Sequence, residues 1–134
     1  MAKRGFCESF FNKNEETFTQ PVIVEDFSIG NFDLMLLNIR SLNIDKASQL
    51  QVDLSEHKIQ ILCLTEIWAD RDNLPEIENY QLVSHFSRSH YSGGGVGIWL
   101  RDGMSCKILD LSEHCLEREF EICGILLNCD SRQL

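Results

Sequence analysis

The sequence predicts an α/β protein of the α+β sandwich type, one mixed β-sheet with a flanking helix, and three observations predict it. Ile61-Leu-Cys-Leu64 is an unbroken apolar run, as in a strand covered on both faces, because a half-exposed strand alternates apolar with polar residues. Upstream, Ala47, Leu50 and Leu54 recur at helical spacing between Lys46 and His57, while Gln49, Gln51, Asp53 and Glu56 fall outside that stripe. Before the helix, Phe32 to Ile39 is dense in aliphatic residues and follows a Gly30-Asn31 turn signal. Strand, helix and strand make a βαβ unit, whose crossover joins two parallel strands and sets their C-terminal ends side by side.

Residues 1–30 mix Phe with Asn, Glu, Thr and Lys in neither period, apart from the short strand-like Val22-Ile-Val24 after Pro21, and are expected to be a poorly ordered leader. The domain is expected over 31–129, with 130–134 as a tail. Within it, Ser41 to Asp45 is a loop whose Asp45 suits a helix N-cap. The helix and the buried strand 59–65 follow. Asp70 to Pro75 then reads as a loop, Tyr80 to Phe86 as a weakly alternating strand, Ser87 to Gly95 as a polar, Gly-rich turn, and Val96 to Leu100 as a strand. Lys107 to Leu111 and Phe120 to Asn128 are two further strands, and neither period assigns a conformation to Ser112–Glu119 between them. With so little helix after residue 59, the later part is expected to be an antiparallel meander added to the βαβ start.

At 134 residues the chain suits one domain, and 43% hydrophobic against 25% charged residues excludes a disordered or fibrous class. A net charge of −9 argues against nucleic-acid binding through a broad basic face, since Lys and Arg supply most non-specific affinity for phosphate. It does not exclude a nuclease, because a site for divalent metal is itself built from carboxylates. Two basic residues at the N-terminus are not followed by the apolar core of a secretory signal, and no apolar run is long enough to span a bilayer. A soluble, intracellular protein without membrane attachment is expected. The six cysteines form no Cys-x-x-Cys pair; Cys63 and Cys123 lie inside apolar runs and read as reduced core thiols, and zinc at His114-Cys115 lacks ligand spacing.

Glu66 follows the buried strand directly, at the sheet edge where α/β folds bind ligands. By itself it reads more readily as a solvated residue at a strand end than as a functional carboxylate. Asn38, at the end of the first strand, reads by itself as a turn former bonded to its own loop backbone. Gly93-Gly-Gly95 precedes a strand, opens no helix and has no Gly-Lys-Ser/Thr after it, so both nucleotide-binding fingerprints fail. Its glycines suit a tight turn with positive φ, and Gly97 a close backbone approach or a bulge. Trp68 and Trp99 read as packing residues, with stacking on a base as the lesser alternative. None of His57, His85, His90 and His114 is placed as a general base.

Taken in order, Leu36-Leu-Asn-Ile-Arg-Ser-Leu42, the helix, Ile61-Leu-Cys-Leu-Thr-Glu-Ile-Trp68, Ile77-Glu-Asn-Tyr80 and Gly93-Gly-Gly-Val-Gly-Ile98 resemble the opening of the endonuclease/exonuclease/phosphatase family. The variant they resemble most is the apurinic/apyrimidinic-endonuclease-like domain of non-LTR retrotransposons of the jockey type. The resemblance covers about residues 32–128 and lies in the order and spacing of the blocks. It implies a four-layer fold of two packed sheets with helices outside, in which Asn38 is catalytic and orients the scissile phosphate and its water, and Glu66 binds Mg²⁺ or Mn²⁺. It implies DNA phosphate as the partner of the complete domain, no small-molecule cofactor, and a nuclear location. Arg40 stands where family members place an acidic residue, and either contacts phosphate or is simply exposed.

Family members continue into a Gly-Asp-Phe-Asn-like block and a Ser-Asp-His-like block, and neither is among these 134 residues. The chain is therefore expected to be the N-terminal half of such a domain, with its second sheet missing and no activity alone, because removing one member of a catalytic unit commonly costs as much as removing several. About five uncovered inward-facing side chains at roughly 1.5–3 kcal/mol each would forfeit about as much as the whole stability of a domain. Marginal stability, self-association or a partner on the uncovered sheet is expected. Two further function classes are a phosphoesterase of the same superfamily acting on a phosphorylated lipid, inositol or RNA, and a non-catalytic binding protein retaining the half-fold.

Overall fold

The structure, a computed structural model, describes residues 32–69 and 71–127. The expected leader and tail lie outside the described residues.

Strand β1, Leu34–Asn38, helix α1, Ile44–His57, and strand β2, Ile61–Thr65, form the expected βαβ unit. β1 and β2 are parallel, with Leu36 opposite Cys63 and Asn38 opposite Thr65. The helix starts two residues before Lys46, and the cap is Asn43 rather than Asp45. Asn43 has extended backbone, and its side-chain oxygen accepts the Lys46 N–H at 3.0 Å, which satisfies a donor that the first turn leaves without a partner. Asp45 instead lies inside the first turn, where a carboxylate favours the positive end of the helix dipole. Ala47, Leu50 and Leu54 pack with Leu62, Leu64 and Trp99 in one buried cluster, joined at its margin by Met35 and Leu82. Leu62 and Leu64 are alternate residues of β2 and Met35 lies on the same face of β1, so the helix covers one face of the sheet.

Strands β3, Tyr80–Phe86, and β4, Val96–Arg101, complete a four-stranded sheet in the order β1-β2-β4-β3. β4 is antiparallel to both its neighbours, which makes the sheet mixed. The weak alternation of Tyr80 to Phe86 has a structural cause. Its register shifts between Leu82, opposite Trp99, and Ser84, opposite Ile98, so a bulge carries the following residues to the other face. At Gly97 the neighbour that needs the space is a side chain and not backbone: a Cβ there would stand 2.6 Å from the ring of Trp99.

The later strands depart from the expected meander. β5, Cys106–Leu109, and β6, Gly124–Leu127, pair with each other in a separate two-stranded sheet, so a second sheet is present, though small. Both edges of β4 are already taken by β2 and β3, so the chain leaving it cannot add to it. The strand expected from Phe120 begins only at Gly124. Ahead of it, Leu116 and Phe120 close a tight turn through two backbone hydrogen bonds with Arg118 at φ +71°, after a 3₁₀ turn at Ser112–His114.

On the sheet face away from the helix, Ile61 and Leu100 are buried, Leu36, Cys63, Val96 and Ile98 are half-buried, and Leu34 is exposed. Cys123 sits against this face. Burial pushes its thiol up to about 11, against a lowering hydrogen bond with Ser84, and Cys63 and Cys115 are near enough to act on it electrostatically. Among the described residues Cys63, Cys106, Cys115 and Cys123 are not joined in disulfides. No helix among the described residues is long and apolar enough to cross a membrane.

Candidate functional site

The parallel pairing of β1 and β2 brings Asn38 and Glu66 to one edge. Asn38 is opposite Thr65, and Glu66 is the next residue. Beyond the strands the two segments stay joined: Ile39, Ser41 and Leu42 donate backbone N–H groups to the carbonyls of Thr65, Glu66 and Ile67 at 3.0, 2.7 and 3.0 Å. Left-handed backbone gathers here, with Arg40 at φ 45°, Ser41 at 75°, Glu66 at 56° and Trp68 at 58°. Such a conformation is disfavoured for any side chain and is an outlier for one as bulky as Trp. Surrounding structure must hold it, and strain of this kind collects at functional edges. Lys46 is one of the restraints: its ammonium group, on the first turn of α1, donates to the carbonyls of Ile39 (2.8 Å) and Arg40.

The Glu66 carboxylate is oriented from two sides. Its Oε2 accepts the Trp68 indole N–H at 2.6 Å and the Gly94 backbone N–H at 3.3 Å. Asn38 is exposed at the end of β1. Arg40 is exposed beside it. Among the described residues no group of three His, Cys, Asp or Glu side chains is placed to share a metal ion. The edge thus offers one carboxylate and one neutral amide as oxygen donors.

The glycine block forms the second wall. Gly93, Gly94 and Gly95 all have positive φ, and the carbonyls of Gly94 and Gly95 accept the N–H groups of Trp68 (2.9 Å) and Ile67 (3.4 Å). A Cβ on Gly94 would stand 2.2 Å from the guanidinium carbon of Arg88, so the absence of a side chain is what lets Arg88 lie across the loop. Arg88 donates from Nε to Glu121 and from Nη1 to the Ser92 carbonyl at 3.1 Å. Its side chain and that of Glu121 are 16% and 12% exposed, so this is a largely buried pair.

The segment 117–121 clamps this loop at three points. Glu121 also accepts the N–H groups of Gly95 (2.8 Å) and Arg118 (2.9 Å). Burial pushes the Glu121 carboxyl up, and the hydrogen bonds from Arg88, Arg118 and Gly95 together with the Arg88 charge outweigh it, so the net direction is down. Three consecutive N–H groups, from Ser89, His90 and Tyr91, converge on the Glu117 carboxylate at 2.6 to 3.3 Å, an anion-binding concavity filled by the chain itself. The Ser89 N–H above all lowers the Glu117 carboxyl to about 2, against desolvation and with help from the Ser89 hydroxyl and His90. The Arg118 guanidinium lies 5.0 Å from the centre of the Tyr91 ring.

Between these walls is a cleft of about 290 Å³ lined by Trp68, Ala69, Asn73, Ser87, Arg88, Tyr91, Ser92, Gly93 and Gly94. Asn38 and Glu66 are outside its lining, although Glu66 bonds two residues that form it. The clamp residues Arg88, Glu117 and Glu121 escape sequence reasoning, because each is a charged residue in a stretch without periodicity. No family model matches the chain, and no curated protein matches it.

Proposed function

We propose that the edge carrying Asn38 and Glu66 is the phosphate- and metal-binding part of a phosphodiester-cleaving site of the endonuclease/exonuclease/phosphatase type, with DNA as substrate, as in the endonuclease domains of jockey-type retrotransposons. One observation carries this. Two candidate residues 28 positions apart in sequence stand at the C-terminal ends of adjacent parallel strands, in a backbone held in left-handed conformation on both sides. Mg²⁺ keeps several waters and takes one or two protein carboxylates together with substrate phosphate, so a lone oriented carboxylate fits it. Glu66 would hold the ion through oxygen, and such an ion would supply Lewis-acid stabilisation of charge on a phosphate.

Asn38 contributes a neutral hydrogen-bonding group that orients phosphate without adding negative charge. The indole of Trp68 and the N–H of Gly94 restrain the carboxylate much as outer partners restrain ligands in metal sites. The groups that activate water in this family, from Gly-Asp-x-Asn and Ser-Asp-His blocks, are not among the 134 residues, so turnover depends on polypeptide that supplies them.

Titration of Mn²⁺ into residues 1–134 should broaden the backbone amide resonances of Asn38, Thr65 and Glu66 first, and Glu66→Ala should abolish this. The same protein should not nick supercoiled plasmid in Mg²⁺. Broadening that begins elsewhere, or persists in Glu66→Ala, would remove the metal assignment. A second reading, a non-catalytic binding protein with the same half-fold, draws support from the two hydrogen bonds already made by Glu66 Oε2. It is favoured if Mn²⁺ leaves this edge undisturbed.

A further inference from the structure

We propose that the cleft beside the glycine loop is a stacking site for one unpaired nucleobase of a single-stranded nucleic acid, with Trp68 and Tyr91 as its aromatic walls. Both rings line the cleft, and both are exposed, Trp68 to 45% and Tyr91 to 52%. Exposed aromatic rings are common, but these two are fixed in place. The indole N–H of Trp68 is bonded to Glu66, and the ring lies over Gly93, where a Cβ would be 3.6 Å from Nε1. Its backbone is left-handed, a conformation that a buried Trp would be compensated for by packing, yet this ring stays in solvent. Tyr91 is anchored by its own N–H on Glu117 and by Arg118 against its ring. Two preset rings bind a flat ligand with little further ordering.

Charge and size select the ligand. Among the described lining residues the charged one is Arg88, whose guanidinium is already engaged by Glu121 and the Ser92 carbonyl. Asn73, Ser87 and Ser92 add polar groups beside the two rings, Ala69 and the glycine backbone. At about 290 Å³ the cleft is at the low end of the roughly 300–1,000 Å³ of small-molecule sites, enough for a single ring system. Every base has a π-face, but a duplex hides it, so the base must be unpaired.

The test uses the full chain with divalent cations chelated, so that failure here and failure of the metal assignment are separate results. Trp99 is 3% exposed, which makes Trp68 the fluorophore that an added ligand can reach. Oligothymidylate should quench tryptophan fluorescence saturably. Its affinity, read by anisotropy of a labelled strand, should fall about five-fold or more in Trp68→Ala and in Tyr91→Ala, and stay within about two-fold in Trp68→Phe and Tyr91→Phe. Circular dichroism of the Phe variants controls for folding. An oligouridylate arm separates the sources: equal binding assigns any unpaired base, and a preference assigns one sugar. Absence of quenching, equal binding of an abasic strand, or wild-type affinity in both folded Ala variants would overturn the proposal.

Discussion

Gly94→Ala should destabilise the protein by about 2.5–5 kcal/mol, a sum of two effects on the glycine loop. The backbone at φ +66° is left-handed, and adding a Cβ there costs about 1–2 kcal/mol. The new carbon would also stand 2.2 Å from Cζ and Nε of Arg88. A guanidinium at the end of a free side chain would swing aside at little cost. This one is held between Glu121 and the Ser92 carbonyl in a largely buried position, so moving it breaks charged hydrogen bonds worth about 1.5–3 kcal/mol. Because Arg88 can follow the displacement into water, the loss stays below that of leaving a buried charge unpaired, about 3–5 kcal/mol. Urea unfolding at neutral pH measures the difference. In an Arg88→Ala background the clash disappears, so Gly94→Ala should cost only the backbone part, and the two changes should be coupled by about 1–3 kcal/mol. An equal cost in both backgrounds, or less than about 0.5 kcal/mol in the wild type, would refute the claim that Arg88 is locked over Gly94.

Three other predictions concern the scaffold and the clamp. Leu54, 1% exposed in the cluster between α1 and the sheet, should cost about 2–5 kcal/mol when cut to Ala, and a loss under about 1 kcal/mol in urea unfolding would mean that α1 is not seated there. Asn43→Ala should lower stability by about 1 kcal/mol and exceed the effect of Asp45→Ala, since Asn43 makes the capping bond; the reverse order of the two melting shifts would restore Asp45 as the cap. Glu117 and Glu121 both have folded-state carboxyls below their ordinary value, so the stability they add is present above pH 4.5 and is lost as pH falls through the folded values, for Glu117 toward about 2. Acid unfolding should therefore steepen between those limits, and Glu117→Gln should flatten that limb; an unchanged acid limb in the variant would count against the clamp.

The elements most legible in the sequence are those whose neighbours are near in sequence or repeat with a period. The stripe Ala47, Leu50, Leu54 and the run Ile61 to Leu64 announce a helix on a sheet because each records which of its faces is covered. Asn38 and Glu66 could be placed at a common edge because a crossover helix leaves two strands little choice but to run parallel. The register of Tyr80 to Phe86 was harder, since the bulge after Leu82 cancels the alternation that marks a strand. Phe120 to Cys123 looks like strand from its composition, but Glu121 is committed to Arg88 and to the N–H of Gly95, and pairing starts only at Gly124.

By itself the sequence determined the βαβ core, the strand positions of β3 and β4, and the presence of Asn38 and Glu66 at the end of the parallel pair, because burial writes a period into local order. Only the tertiary structure decided that β5 and β6 form their own sheet, that segment 117–121 clamps the glycine loop, and that Trp68 stands exposed with its indole on Glu66. These depend on polar groups meeting across 26 to 33 residues, or on left-handed backbone at Glu66 and Trp68. A charged side chain leaves no periodic trace of its distant partner, and hydrogen-bond geometry exists only once the chain has folded.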